Sequence, residues 1–140
     1  MGDIRGSRRR RYRQLREIKF RAWHPIGRMV YSENHLYGFW KFVDNNELSD
    51  KVMQYTGLKD KYGKEIYEGD LIRCSIQGVE QNGLQLVEWS NERGGFTLFY
   101  QDGDPYFRID LNSLEVIGNI YENPELLKRE ENRNLLEEVL

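Results

Sequence analysis

The chain has 140 residues, 39% hydrophobic and 31% charged, with a formal net charge of −2, a length that suits one domain. Eighteen aromatics (nine Tyr, six Phe, three Trp) exclude an intrinsically disordered chain, because such chains are poor in them. The single cysteine, Cys74, excludes an internal disulfide, and no apolar run approaches the ~20 residues of a membrane helix.

Residues 1–15 carry six Arg and one Asp, a formal +5, which leaves −7 for residues 16–140. This stretch has no apolar periodicity and no apolar core of a secretory signal. It reads as a basic, disordered arm, either a non-native leader or a solvated tail. Its cluster Arg8, Arg9, Arg10, Arg11 and Arg13 could alternatively neutralise nucleic-acid phosphates.

REIKFRAW (16–23) alternates strictly, with Ile18, Phe20 and Ala22 on one face and Glu17, Lys19 and Arg21 on the other. Period-2 alternation predicts a half-buried strand with the charged set in solvent. Pro25 and Gly27 predict a turn, and MVY (29–31) the return strand of a hairpin. HLYGFWKFV (35–43) reads as an aromatic strand with a bulge or close backbone approach at Gly38, and residues 44–51 as a polar loop or one helical turn. VMQYTG (52–57) predicts a short strand. In KDKYGKE (59–65), Asp60 and Gly63 bracket a tight reversal.

IYEGD (66–70) leads into LIRCSI (71–76), where Ile72, Cys74 and Ile76 share one face. Asn82-Gly83 is a hairpin signal, with LQLVEW (84–89) as the return strand. Strands are further expected over FTLFY (96–100), YFRIDL (106–111) and LEVIGNIY (114–121). At the end, Asn123, Pro124 and Glu125 suit a helix start. KREENRN beyond it is wholly polar, so the helix is expected to dock by its first turn and then project.

Seven to nine short strands with Gly, Asn or Asp at the joins predict a mainly β fold. The expected form is a small barrel-like or sandwich arrangement of antiparallel strands over 16–123. A C-terminal helix or tail covers 124–140.

Nucleophilic catalysis needs a Ser, Thr or Cys beside an oriented base. Cys74 with His24 or His35 is the pair on offer, but Cys74 lies on an inward face and reads as a buried, inert thiol. The two histidines have no metal-ligand spacing. The glycines form neither a P-loop nor a dinucleotide fingerprint. No catalytic residue, metal ligand or cofactor is therefore assigned. The strand aromatics Phe20, Phe39, Phe96 and Phe99 read as core or subunit contacts.

The stretch VMQYTGLKDKYGKEIYEGDLI, with REIKFRAW before it and LEVIGNIYENPELL after it, closely resembles the YopX-like family of phage and prophage proteins, from about Arg16 to Leu127. The resemblance implies a mostly β, self-associating protein of phages and prophages of Gram-positive bacteria, with no established reaction; the single cysteine and the lack of a signal or membrane run place it in the host cytoplasm. It carries over the motif positions Tyr55, Thr56, Gly57, Leu58, Lys59, Asp60, Gly63, Lys64, Ile66, Tyr67, Glu68, Gly69 and Asp70. The sequence departs from the family at His24-Pro25, where members often carry an acidic residue.

Physically, Gly57 and Gly69 suit positive φ, and Asp60 and Asp70 suit turn-fixing bonds to backbone N–H groups. The EGD turn into a strand resembles the diverging turn of SH3-like barrels. The motif reads as a folding signal, or alternatively as a ligand loop in which Lys59, Lys61, Lys64 and Arg73 face an acidic or phosphate partner. The leading expectation is a non-enzymatic, homo-oligomeric phage accessory module that binds a phage or host protein, with no membrane. The alternative is a nucleic-acid-binding small barrel, and a third reading is an enzyme of unrecognised type.

Overall fold

The computed structural model describes residues 16–35, 38–99 and 109–139. The arm with Arg8, Arg9, Arg10, Arg11 and Arg13 lies outside the described residues, as do residues 106–108 of the strand expected over 106–111; of its other half, Ile109 makes an isolated bridge to Ile76 and Leu111 starts a 3₁₀ turn. Among the described residues, eleven short strands and two short helices make a mainly β fold, its main sheet curled as a half-barrel. No helix among the described residues is long and apolar enough to cross a membrane.

β1 (Phe20–His24) and β2 (Arg28–Tyr31) form the expected hairpin. The Gly27 N–H closes its turn onto the His24 carbonyl at 2.9 Å. β3 (Val52–Lys59) pairs with β1 and with β4 (Glu65–Tyr67), giving the order β2-β1-β3-β4, all antiparallel. β3 does not stop at Gly57 but continues to Lys59 across a register shift between Tyr55 and Lys59.

After Gly69 the chain leaves this sheet. β5 (Asp70–Arg73) is the centre of a second one, between β11 (Glu115–Asn119) and β8 (Gln85–Leu86). Being central, β5 is buried on both faces: Leu71 points into a cluster with Leu84, Leu86, Leu126, Leu127 and Leu135, and Ile72 into one with Ile66, Cys74, Val87, Leu98 and Leu114. Period-2 geometry sends neighbouring side chains to opposite faces, so one four-residue strand ties two cores together.

Several further expectations change. Residues 39–45 form a helix, α1, rather than a strand. Phe39 and Val43, one helical turn apart, are both buried against Ala22, Val30 and Leu48, and that shared face decides the period. The β6–β7 hairpin (Ser75–Ile76 with Val79–Glu80) turns at Gln77-Gly78, not at Asn82-Gly83. Gln77 and Gly78 both take positive φ (49° and 78°), as a two-residue hairpin loop of the favoured hand requires.

The strand expected over 96–100 is cut short. Only Gly95–Phe96 (β10) pairs, with Trp89–Ser90 (β9), before a 3₁₀ turn over Thr97–Phe99. Phe39 therefore sits in a helix, while Phe20 and Phe96 are in strands as expected.

The tail does not project either. It runs as 3₁₀ turns, Pro124–Lys128 and Glu130–Asn132, before a seven-residue helix, α2 (Arg133–Val139). Leu126, Leu127 and Leu135 are all buried. Asn132, 2% exposed, accepts the Leu84 N–H (2.7 Å) and donates to the Leu126 carbonyl (2.8 Å). That bridge returns the polar stretch to the core. Asn123 does not cap the segment it precedes; its Oδ1 accepts the Asn119 N–H instead.

Finally, the charged face of β1 is not all in solvent. Arg21 is 4% exposed, whereas Ile18 of the apolar set is 67% exposed.

Candidate functional site

The motif residues gather where the chain crosses from one sheet to the other. Tyr55 and Tyr67 are paired across β3 and β4 with ring centroids 5.4 Å apart. Thr56 Oγ1 donates to the Ile66 carbonyl (2.7 Å) and accepts the Leu58 N–H (3.1 Å), stitching the strand pair at its irregularity. Leu58 and Ile66 pack into the cluster around Ile72. Gly57, Gly63 and Gly69 take positive φ of 88°, 84° and 83°.

The two motif aspartates act inside the fold. Asp60 Oδ1 accepts the Tyr62 and Lys64 N–H groups, both at 2.9 Å, which fixes the 60–64 turn. Its Oδ2 accepts the Val116 N–H (3.0 Å) and docks that turn on β11. Burial alone would raise this carboxyl, but the three N–H donors and the nearby Lys64 ammonium overcome burial, and Asp60 lies below its ordinary value.

Asp70, 1% exposed, accepts the Tyr67 N–H on Oδ2 (2.8 Å) and the Arg21 guanidinium on Oδ1 (2.8 Å). Burial pushes its carboxyl up, against the pull of Arg21 and the Tyr67 N–H. Arg21 also donates to the Glu68 carbonyl (3.2 Å) and lies 4.6 Å from the Tyr67 ring centroid. β1 is thereby clamped to the EGD turn. Nothing in the local sequence marked Arg21, because its partners lie 47 to 49 residues away.

The lysines stay outside. Lys59, Lys61 and Lys64 are exposed, as is Arg73. Lys61 pairs with Glu115 (3.3 Å) and lies near the ring of Tyr62, itself 75% exposed. Arg73 is the cross-strand partner of that same Glu115.

Cys74 is buried, and burial pushes its thiol up to about 11. His24 and His35 both pack on Phe42, at 6.0 and 5.7 Å between centroids. Among the described residues, no group of three or more His, Cys, Asp or Glu is placed to hold a metal ion.

The described surface carries a shallow groove of about 360 Å³ at the EGD turn. Met53, Val87 and Ile120 give it an apolar lining, Glu68 and Gly69 of the motif form part of its wall, and Trp89 stands at its side, 43% exposed. Gly69 must be small here: an added Cβ would lie 2.9 Å from Met53 Sδ. Glu68 Oε1 accepts the Gln54 N–H (2.8 Å), and burial raises its carboxyl. Of these residues only Glu68 and Gly69 belong to the motif. Met53, the Val87–Trp89 pair and Ile120 come from three separate segments whose meeting no local pattern announces.

No curated protein matches the chain. Among solved structures it is similar to protein EF1440 from Enterococcus faecalis, at 22% identity and a TM-score of 0.47, over 79% of this chain and 98% of that one. The YopX protein family model matches residues 33–128. This span holds the whole YTGLKD…EGD block and β11 but begins after the β1–β2 hairpin. With more than half of its length matched, the chain belongs to the YopX protein family.

Proposed function

We propose that this chain is a non-enzymatic, self-associating β interaction module of phage or prophage origin, working in the bacterial cytoplasm. The observation that carries the reading is an apolar patch at the end of β1. Ile18 lies two residues before Phe20, the first residue of β1, and the Phe20 ring packs edge-on against Trp40 of α1 at 5.1 Å. Ile18 is 67% and Trp40 54% exposed. Patches of this kind favour association, and a second copy would cover it.

The motif supports the same reading. Its aspartates are committed to backbone N–H groups and to Arg21, which leaves recognition to surfaces rather than to a reactive centre. A concentration series of tryptophan emission tests association. Trp40 emission should shift to the blue as protein concentration rises, and the shift should vanish in Trp40→Phe.

A second reading, nucleic-acid binding, rests on the exposed Lys59, Lys61, Lys64 and Arg73, with Tyr62 also exposed. It predicts salt-sensitive anisotropy changes with labelled single- and double-stranded oligonucleotides, abolished by Lys59→Gln with Lys64→Gln.

A further inference from the structure

We propose that the arginine-rich residues 1–15 seat across the groove at the EGD turn of their own chain. Two of the groove's residues are acidic, Glu68 and Glu88, and the body behind it carries −7 against +5 on this segment. Among the described residues, Glu68 makes no ion pair. Its carboxylate is a half-buried anion held in place by one backbone N–H.

The described chain begins beside the groove. The Arg16 guanidinium lies 6.0 Å from the Phe96 ring centroid, and Phe96 packs edge-on against Trp89 at 5.1 Å. Trp89 is a groove residue. Fifteen residues span up to about 50 Å when extended. Arginine suits this seat twice over, since its guanidinium pairs with a carboxylate and stacks on an aromatic face. The Arg16–Phe96 contact already shows the second mode at the entrance.

The test uses the full chain with Ser7→Cys carrying a nitroxide on the introduced thiol; buried Cys74 stays unlabelled. In nitrogen-15 spectra, the Gly69 amide and the Trp89 indole should broaden, while the Gly78 amide on the β6–β7 turn should not. Raising ionic strength from about 0.1 M to about 1 M shortens the screening length from about 10 Å to about 3 Å and should restore both signals. Glu68→Gln keeps the acceptor for the Gln54 N–H and should weaken the broadening.

Unbroadened Gly69 and Trp89 signals overturn the proposal. Broadening indifferent to both salt and Glu68→Gln overturns it as an electrostatic seat. A mixture of nitroxide-bearing unenriched protein with enriched protein free of nitroxide should show no effect. Broadening of equal size in that mixture places another copy's segment in the groove and overturns occupancy within one chain.

Discussion

Arg21 donates to Asp70 Oδ1 at 2.8 Å across 49 residues of sequence, with side chains only 5% and 2% exposed. This contact fastens the first hairpin to the turn that starts the second sheet. Breaking a buried pair leaves an uncompensated charge, a cost of about 3–5 kcal/mol. Arg21→Met should therefore lower unfolding stability by that amount, read as a drop in the urea midpoint at unchanged slope. Arg21→Met with Asp70→Asn should recover much of the loss, because no lone charge remains and the amide oxygen can still accept the Tyr67 N–H. A single-variant loss below about 1 kcal/mol would contradict the clamp.

Asp60 governs part of the acid limb. Its pKa is below the ordinary 3.8 in the folded protein, so folding favours its charged form. That contribution is fully present above about pH 4 and is lost as pH falls through the lowered folded value. Asp70 and Glu68, both raised by burial, contribute with the opposite sign, so the wild-type curve alone mixes the two. The difference between wild type and Asp60→Asn isolates Asp60. It should be largest above pH 4 and shrink below it. A difference that grows as pH falls would contradict the assignment.

Gly69 and Gly27 separate backbone strain from crowding. Both take positive φ, 83° and 96°. Only at Gly69 does an added Cβ meet an atom closely, Met53 Sδ at 2.9 Å; at Gly27 there is open space. Gly27→Ala should lose about 1 kcal/mol from conformation alone, and Gly69→Ala clearly more. Met53→Ala should lessen the extra loss. Equal losses at the two glycines would show that Met53 moves aside freely.

Asn132 holds the tail. Asn132→Ala removes partners from the Leu84 N–H and the Leu126 carbonyl. Each buried group left unpaired costs about 1–3 kcal/mol, so thermal unfolding should shift down by several degrees. Proteolysis should then begin within residues 124–139. A neutral Asn132→Ala would mean that Leu126, Leu127 and Leu135 anchor the tail without it.

Local chemistry made much of this fold legible. The β1–β2 hairpin followed from alternation and from Pro25 and Gly27. The 60–64 turn followed from Asp60 and Gly63, and the inward row Ile72, Cys74, Ile76 from period 2. What was misread needed partners distant in sequence. Seven residues of α1 are too few to display a 3.6 period, and an aromatic run with one glycine looks equally like a strand. Arg21 sits on the polar side of an alternating strand, and only Asp70, brought in by the sheet crossover, makes it a buried residue. Gln77-Gly78 is a weaker turn signal than Asn82-Gly83. Yet Gly83 lies against the tail, where an added Cβ would be 2.6 Å from the Glu131 carbonyl oxygen. The motif was visible as a block, but its groove was not, because most of that wall is assembled from other segments.

Sedimentation equilibrium of the full chain, alone and with Trp40→Ser, tests the central proposal most directly. Self-association through the Ile18–Phe20–Trp40 patch predicts a mass at least twice 16.8 kDa at micromolar concentration, falling toward the monomer in Trp40→Ser. A monomer at every concentration would contradict it.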